Sequence, residues 1–502
     1  MNTVALIRSL ILILSLPAML WAVSLSAQPD GGTPDWYADG QAALQARLDR
    51  ELNTGRARNI ILLISDGHGV GTNYATRLFV GQREGGSGDD HVLPFETPDY
   101  YSALVKTYNT NAQTPDSAGT ATAIMSGIKT RAGVVNVSQD VVRGDCGTLT
   151  GNLLTPLSRI LSDAGKSVGA VSTAGITHAT PATVYASSAD RNWEGNVPEG
   201  CREQVDIAQQ LLQAMTAGHV DIAMGGGRRN FVPEGAATEE DGVGVRRDQR
   251  HLINEAQQQG VQYAWDSEGF GRLRLDGSPM LGLFEDGHMQ YEADRDDEPS
   301  LAEMTEAAIR ALSTNEDGFF LQVEAGRVDH AHHAGNLART LRDAAAFSEA
   351  VEVADEMTDD RETLIIVTAD HEHAIAFNGY CGRGSDIQGL CMQIDSANDW
   401  HTGTPNEASD GKPYTVAGYL NGAGSILFDE RLAQEGRAEI TEADVANIDY
   451  MQQALIPLSG ETHSGEDVAV YAKGPFAHLF DGTVEQNYLF HVMLHAASVD
   501  AP

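Results

Sequence analysis

Lysine is scarce in this chain of 502 residues. Only five lysines stand among 33 basic residues, acidic residues number 71, and the formal net charge is −38. A surface this negative repels nucleic acids and anionic membranes, which excludes proteins that bind either by charge, and it stays soluble in salt. We interpret the acidic excess as a halophilic adaptation to a saline environment; acidic drift without such adaptation is the alternative.

Cysteine is rare as well, with Cys146, Cys201, Cys381 and Cys391 as its only occurrences. None of their spacings is the short one of a cysteine-based zinc site, which excludes that kind of site. Four cysteines in an exported protein permit three disulfide pairings. Proximity in the sequence favours Cys381 with Cys391, which leaves Cys146 for Cys201.

Long apolar runs are also missing. The longest, residues 10–23, is shorter than the ~20 residues that a membrane span needs. It follows a short segment with a single charge, Arg8, and small residues up to Ala27 come after it. This order is typical of a secretory signal peptide over residues 1–27, so we predict an exported protein, periplasmic or secreted. A membrane anchor is the alternative.

Apolar segments alternate with helical ones along the rest of the chain. Short continuous apolar runs are typical of strands buried on both faces of a parallel sheet, and they occur at residues 59–65, 166–173, 220–224, 318–323, 363–368 and 467–472. Helical patterns lie between them at residues 117–126, 204–216, 301–313 and 337–356. The alternation predicts an α/β fold with a central, mostly parallel β-sheet flanked by helices.

One long segment interrupts this pattern. Residues 376–459 are rich in Gly, Asn, Asp and Ser and have no clear helical periodicity. We predict that they form a small inserted subdomain and that the α/β core comprises residues 28–375 and 460–502. Near the N-terminus, residues 34–52 have a helical pattern, and we expect this helix to pack on a partner subunit.

Chelating side chains follow the predicted strands. Asp66 ends the first strand, Glu324 ends a later one, and residues 329–333 and 370–373 are runs of Asp, His and Glu that come directly after two strands. Ligands of parallel sheets bind at the carboxyl ends of the strands, so these side chains are expected to meet there. Either run alone is also compatible with a solvated polar surface, but two such runs after two strands favour a metal site.

The spacing within the two runs indicates how they bind metal. Asp329 and His333 are four residues apart, which places them on one face of a helix and suits a shared zinc ion. Asp370 and His371 are adjacent, and His373 follows two residues later. That order suits two ligands and a further group that orients a ligand.

Ser117 stands where the predicted helix 117–126 begins. Helix N-termini favour anions, so a phosphate group could rest there. Taken alone, Ser117 is better interpreted as a helix cap, with Asp116 as an ordinary turn residue. We favour a role as nucleophile because the predicted metal clusters imply a nucleophile that the metal ions would activate.

These motifs, together with the run Glu-Thr-His463-Ser-Gly-Glu-Asp, resemble the alkaline phosphatase family in order and spacing from about Asn59 to the C-terminus. The resemblance implies a homodimeric, metal-dependent hydrolase of phosphate monoesters with a broad substrate range. It also implies two zinc ions, one magnesium ion and a phosphoserine intermediate on Ser117.

The resemblance further implies a role for each matching residue. The ligands of the first zinc would be Asp329, His333 and His463. Those of the second would be Asp66, Asp370 and His371, and those of magnesium Asp66, Thr180 and Glu324. Phosphate would be held by Arg191, with Asp116 and His330 beside it, and the residues behind the ligands would be His178 and His373.

Some positions resemble animal members of the family more than well-known bacterial ones. His178 and His330 stand where those bacterial relatives have Asp and Lys, and the inserted segment resembles the animal crown subdomain, which lies over the active sites of a dimer. Phe284 and Glu285 match a pair that holds a further calcium ion in animal members, with Glu298 as another candidate ligand. We therefore expect a fourth site, for Ca²⁺ or Mg²⁺, near Glu285.

Two other functions fit parts of the pattern. A phosphodiesterase or sulfatase can be built on the same metal framework, although those enzymes usually carry a different nucleophile. A phosphate- or metal-binding protein without turnover is a third class, but it would be expected to lack Ser117 or a metal ligand, and none is missing.

Overall fold

The computed structural model describes residues 36–202 and 204–499. The predicted signal peptide, residues 1–27, lies outside the described residues. The described residues divide into two compact units, one up to residue 49 and one from residue 50 onward. In the first, α1 (Trp36–Leu48) has no buried residue. The helix predicted over residues 34–52 is therefore present with shorter bounds, and its packing on a partner stays a prediction.

The second unit contains all the strands of the described chain. They are β1 (Asn59–Ser65), β2 (Tyr101–Lys106), β3 (Ser167–Gly175), β4 (Ile222–Gly226), β5 (Gln262–Ala264), β6 (Met280–Leu283), β7 (Phe319–Ala325), β8 (Thr363–Ala369), β9 (Glu372–His373), β10 (Ile375–Phe377), β11 (Met392–Ile394), β12 (His401–Pro405), β13 (Ala417–Gly422), β14 (Ala454–Pro457), β15 (His463–Ser464), β16 (Val468–Lys473) and β17 (Thr483–Glu485).

Ten of these strands form the central sheet, in the order β17-β2-β16-β8-β1-β7-β3-β4-β6-β5. β1 pairs in parallel with both β7 and β8, and β3, β4, β5 and β6 continue the parallel arrangement. Only β16 runs against its neighbours, β2 and β8. The predicted α/β fold with a mostly parallel sheet is confirmed.

Helices cover both faces of this sheet. The helices of the core are α2 (Val70–Arg83), α3 (Ser117–Ser126), α4 (Leu157–Asp163), α5 (Ala179–Ala182), α6 (Ile207–Thr216), α7 (Leu252–Gln258), α8 (Ser267–Phe270), α9 (Leu301–Leu312), α10 (Arg327–His333), α11 (Leu337–Glu356) and α14 (Tyr488–Ala497). Two short helices, α12 (Glu430–Glu435) and α13 (Glu442–Val445), lie in the segment predicted as an insertion. None of the helices among the described residues is long and apolar enough to cross a membrane.

The apolar runs of the central strands are continuous because each strand faces two cores. Along β1, Ile60, Leu62 and Ile64 point into one core with α3, α4, α6 and α14. Ile61 and Leu63 point into the opposite core, which α9 and α11 complete. Successive side chains of a strand alternate between faces, so burial on both sides requires an apolar residue at every position.

The segment predicted as an insertion carries its own small sheets. β10, β13 and β14 form one sheet, and β11 pairs with β12 in another. A disulfide joins Cys381 to Cys391, and a second joins Cys146 to Cys201, which confirms the favoured pairing. The boundaries at residues 376 and 459 stay a prediction.

Candidate active site

The chelating residues gather at the carboxyl end of the central strands. Asp66 follows β1, Asp370 and His371 follow β8, and Glu324 is the penultimate residue of β7. All four side chains are fully buried. Because β7, β1 and β8 are adjacent and parallel, their carboxyl ends meet at one edge of the sheet, as the sequence predicts.

A first set of donors consists of Asp329, His333 and His463. The Oδ1 atom of Asp329 lies 3.3 Å from Nε2 of His333 and 3.2 Å from Nε2 of His463, and the two Nε2 atoms are 3.1 Å apart. A tetrahedral zinc ion with bonds of about 2.0–2.1 Å needs ligand atoms about 3.3 Å from one another. These three atoms therefore fit a single zinc ion.

Local structure explains how residues so distant in sequence meet. Asp329 and His333 lie one turn apart on α10, which begins directly after β7. β15 pairs antiparallel with β9, and this pairing sets His463 opposite His373. The structure thus brings Asp329 and His333 together with His463, and their binding of one shared metal ion stays a prediction.

A second set surrounds the hydroxyl of Ser117. Nε2 of His371 lies 3.3 Å from Oδ1 of Asp66 and 3.3 Å from Oδ2 of Asp370. Oγ of Ser117 lies 3.3 Å from the same Nε2 atom and 3.5 Å from Oδ1 of Asp66. The serine is thus a neighbour of two of these potential metal ligands, Asp66 and His371, although it comes from a different element.

A third set combines Asp66 with Glu324, Thr180 and His178. Ligand atoms of Asp66, Glu324 and His178 lie within 4.8 Å of one another. Oδ2 of Asp66, Oε1 of Glu324 and Oγ1 of Thr180 are all buried and have no hydrogen-bond partner. Buried polar atoms are almost always satisfied, so this convergence of unpartnered atoms indicates the position of a cation.

The charges of the site support the same conclusion. Burial raises the pKa of Asp66 well above its ordinary value, and repulsion from Asp370, Asp329 and Glu324 raises it further. Burial also raises the pKa of Glu324 to about 7, although a hydrogen bond from Ser172 opposes the shift. Carboxylates at this density stay ionised when cations neutralise them, so the donor set fits divalent metal ions.

Ser117 is the first residue of α3, as predicted, but it is not the cap of that helix. The N-cap is Asp116, whose carboxylate accepts a hydrogen bond from the backbone N–H of Gly119. Asp116 also accepts from the N–H of Gly133, and its own N–H donates to Oδ1 of Asn109. The Ser117 hydroxyl is therefore free of capping and faces the second set of donors.

Arg191 lies beside this serine. Its guanidinium donates to Oδ2 of Asp116 at 3.1 Å and to Nε2 of His178 at 2.7 Å. The rings of His178 and His330 are 5.6 Å apart. Asp116, His178, His330 and Arg191, which are separate motifs in the sequence, thus form one polar wall next to Ser117.

His373 lies between the candidate ligand Asp329 and Glu461, a residue to which the sequence assigns no role. Its Nε2–H donates to Oδ1 of Asp329 at 2.8 Å, and its Nδ1–H donates to Glu461 at 2.6 Å. Burial lowers the pKa of His373, but these two carboxylates raise it to about 10. Hydrogen bonds from His373 and His463 hold the pKa of Asp329 well below its ordinary value despite burial.

The segment predicted as an insertion contacts His373 through His332. Tyr419, on β13, contacts Nδ1 of His332 at 2.8 Å, and the His332 ring stacks on His373 with centroids 4.6 Å apart. The opposite nitrogen of His332 contacts Oγ1 of Thr72 at 3.0 Å. His332 is therefore a packing residue behind the metal ligands rather than a ligand itself.

The residues near Glu285 form a separate acidic group. The side chain of Gln290 donates to Glu285 at 3.0 Å, and its backbone N–H donates to Glu298 at 2.8 Å. Burial raises the pKa of Glu298 to about 8, and burial and the neighbouring carboxylates, Glu285 among them, raise that of Glu240 to about 7. Arg228 forms an ion pair with Glu240 at 3.0 Å, which supplies part of the positive charge here.

Comparison with known proteins identifies the family of the chain. The family profile described as alkaline phosphatase matches residues 57–499. The tissue-nonspecific alkaline phosphatase of Rattus norvegicus is 41% identical over 489 residues, which cover 93% of this chain and 88% of that protein. An alkaline phosphatase of Gadus morhua is 39% identical, with 92% and 97% covered.

Solved structures share the fold. The crystal structure of an alkaline phosphatase from Thermus thermophilus matches with a TM-score of 0.64 at 23% identity, covering 93% of this chain and 96% of that one. With the profile match over most of the sequence and relatives near 40% identity, the chain belongs to the alkaline phosphatase family.

Proposed function

We propose that this enzyme hydrolyses phosphate monoesters through a phosphoserine intermediate on Ser117 and releases inorganic phosphate. The observation that carries the proposal is the position of the Ser117 hydroxyl, 3.3 Å from His371 and 3.5 Å from Asp66, at the start of α3. Arg191 is close by as well, because it pairs with Asp116, the residue before Ser117, at 3.1 Å. The broad substrate range among monoesters follows from the family resemblance.

The donor chemistry supports two zinc ions and one magnesium ion. Asp329, His333 and His463 would hold one zinc, because two imidazoles and a carboxylate suit that ion. A second would be held by Asp66, Asp370 and His371. Magnesium prefers oxygen ligands, and the side-chain oxygens of Asp66, Thr180 and Glu324 would bind it. When bound, these cations lower the pKa of a nearby hydroxyl and neutralise charge on the phosphate oxygens.

The side chains then carry out the reaction in two displacements. Oγ of Ser117 loses its proton to solvent and attacks phosphorus. The Oγ–P bond forms, the ester P–O bond breaks, and the leaving oxygen takes up a proton from solvent and departs as the alcohol. Arg191 presents planar N–H donors to the phosphate oxygens. Asp116 and His178 hold that guanidinium in place, and a water molecule finally cleaves the phosphoserine and restores the hydroxyl.

The acidic group at Glu285 supports a further divalent-ion site. Glu285, Glu298 and Glu240 converge there, and one oxygen of Glu298 is buried without a partner. Oxygen-only donors favour Ca²⁺ or Mg²⁺. Anomalous scattering from crystals soaked with Ca²⁺ would locate this ion, and anomalous density at the three other sites alone would contradict the proposal.

We also propose a homodimer that is exported to the periplasm or secreted. Large apolar side chains are exposed in the insertion, among them Leu427, Phe428, Leu455 and Ile456, and a second copy would cover them. Light scattering should give twice the mass of one chain, and a double Leu455→Glu, Ile456→Glu variant should shift it toward one. For export, N-terminal sequencing of the secreted protein should begin near residue 28.

One set of assays tests the catalytic proposal. The purified protein, loaded with zinc and magnesium, is offered a phosphate monoester, a phosphate diester and a sulfate ester at alkaline pH. We expect the monoester to be the fastest by a wide margin. Ser117→Ala should abolish trapping of labelled phosphate on the protein, whereas Ser126→Ala, on the same helix, should leave it intact. Faster diester or sulfate hydrolysis, or phosphate trapped on Ser117→Ala, would overturn the proposal.

A further inference from the structure

Three histidines form a cluster at the edge of the site, and one of them has no role so far. The ring of His288 lies 4.1 Å from that of His330 and 5.2 Å from that of His178, centroid to centroid. His288 follows β6, on a loop that is anchored to the end of β3, because the N–H of Met289 donates to the carbonyl of Thr173. The ring is only partly buried, so one side of the cluster is open to solvent.

Hydrogen bonds fix which nitrogen of each ring carries its proton. The backbone N–H of Gly175 donates to Nδ1 of His288 at 3.0 Å, so in the neutral ring the proton sits on Nε2. That Nε2–H has no acceptor among the residues that the structure describes. Arg327 donates to Nδ1 of His330 at 3.0 Å, which leaves Nε2 of His330 as a donor in the same way.

Arg327 is an arginine held in place with most of its donors unused. Its guanidinium stacks 3.7 Å from the ring centre of Tyr291 and contacts His330 with one nitrogen. A guanidinium carries five N–H donors. Within residues 36–202 and 204–499, His330 is its only side-chain partner at hydrogen-bond distance, and Nε is buried without one. A stacked, incompletely bonded arginine is a typical binder of carboxylate or phosphate.

Positive charge dominates this corner of a very negative protein. Burial lowers the pKa of His288 to about 4, and the charges of Arg327, Arg229 and Arg191 lower it further, while Asp329 opposes them. Arg191 is paired with Asp116. Arg229 is exposed, and neither it nor Arg327 forms an ion pair with any described carboxylate. Arg327, which has no ion pair with a described carboxylate and contacts His330 of the polar wall, suits an anion. Arg229 adjoins this corner through its backbone N–H, which donates to the carbonyl of Asp286, two residues before His288.

We propose that Arg327, His288 and Arg229 form a second anion-binding subsite, which favours phosphate monoesters that carry another anionic group, a carboxylate or a second phosphate, close to the ester oxygen. The inference rests on the proposed function, because it assumes that the ester phosphate lies between Ser117 and Arg191. It adds a preference within the monoesters, set by residues that the catalytic steps do not use.

Paired substrates test this subsite directly. Ethyl phosphate, phosphoglycolate and ethylene glycol bisphosphate differ in whether the second group is absent, a carboxylate or a phosphate. We expect kcat/KM to be at least about fivefold higher for an anionic member than for ethyl phosphate, which is the effect of one partly exposed charged contact. The two anionic arms distinguish carboxylate from phosphate as the preferred group.

Substitutions attribute the preference to these side chains. Arg327→Gln, Arg229→Gln and His288→Ala should each lower the ratio of anionic to neutral kcat/KM, whereas Arg247→Gln, an exposed arginine elsewhere, should leave it unchanged. Calorimetry gives a second measure: phosphonoacetate should bind the metal-loaded enzyme more tightly than ethylphosphonate, and Arg327→Gln should remove the difference. An Arg327→Lys variant, which keeps the charge, should retain part of it.

The outcomes separate the two proposals. If no ester is hydrolysed, the proposed function fails. If all esters are hydrolysed with equal kcat/KM, or if Arg247→Gln changes the ratio as much as Arg327→Gln and Arg229→Gln do, the subsite is absent while the function stands.

Discussion

Glu461 holds two parts of the site together although it is not a candidate ligand. Its carboxylate accepts from Nδ1–H of His373 at 2.6 Å and from the N–H of Ala374 at 2.7 Å. Its backbone carbonyl accepts from Nδ1 of His333 at 2.7 Å. Groups that orient ligands in this way commonly account for about ten- to hundredfold of metal affinity.

Glu461→Gln is therefore expected to weaken metal binding without removing a ligand. Glutamine keeps an acceptor but loses the charge that holds His373 protonated, so Asp329 is oriented less firmly. Competition with a chelator should show zinc affinity about tenfold lower or more. Glu466→Gln, in the same loop but exposed, is the matched control. Equal affinity in the two variants would mean that Glu461 has no part in orienting the ligands.

Asp343, on α11, links the stability of the protein to pH. Burial raises its pKa to about 8, although the backbone N–H of Glu292 opposes the shift. The folded chain therefore keeps Asp343 protonated where the unfolded chain, with a pKa of 3.8, does not. Its contribution to stability is complete below the unfolded pKa and is lost as the pH rises through about 8.

Asp343→Asn should remove this dependence, because an amide cannot ionise and still accepts from Glu292. Thermal unfolding of the metal-loaded protein should show that the advantage of the variant over the wild type grows between pH 5 and pH 9. Asp140→Asn, which alters an exposed carboxylate, should show no such trend. A constant difference across the pH range would contradict the assignment.

At the scale of elements, the sequence predicts the buried parallel strands best. β1 matches its predicted bounds, residues 59–65, because two cores demand apolar residues throughout. β2 (Tyr101–Lys106) is not predicted, since only Ala103 and Val105 are buried and the pattern is too short to distinguish from a loop. β5 and β6 are not predicted for the same reason, because runs of three or four residues show too little periodicity.

The residues of the candidate site also divide into those that the sequence predicts and those that it does not. Residues that follow a buried strand, such as Asp66 and Asp370, are predictable because the sheet brings strand ends together. Ser117, Arg191 and His463 sit on elements whose approach to that edge depends on tertiary packing, so their place follows from family resemblance rather than from a local pattern. The only indication of a role for Glu461 in the sequence is its position two residues before His463.

The two disulfides differ in how much chain they close. Cys146–Cys201 spans 55 residues and Cys381–Cys391 spans 10. In the chain-entropy account these loops correspond to about 4 and about 3 kcal/mol of stabilisation. Replacing Cys146 and Cys201 by serine should thus lower the melting temperature further than the same change at Cys381 and Cys391. The reverse order would show that the insertion depends on its disulfide more than loop length implies.

At the scale of the whole molecule, the surface and the site have opposite charge: the surface repels anions, whereas the site must attract a negatively charged phosphate ester. A net charge of −38 repels a phosphate ester at long range. Positive charge is concentrated instead around Ser117, where Arg191, Arg327 and the expected metal ions lie. Such a division suits a saline medium, because salt screens the distant repulsion while buried, short-range contacts are screened much less.

The same charge excess predicts how stability responds to salt. The folded chain packs its negative groups closely, so screening should stabilise it more than the expanded unfolded chain. The melting temperature of the metal-loaded protein should rise steeply with NaCl at low concentration and level off as the screening length falls from about 10 Å at 0.1 M to about 3 Å at 1 M. Sucrose stabilises by exclusion from the surface rather than by screening, so at equal osmolality it should produce no such early rise. A flat or falling curve in NaCl, or an identical curve in sucrose, would show that the acidic surface is not an adaptation to salt.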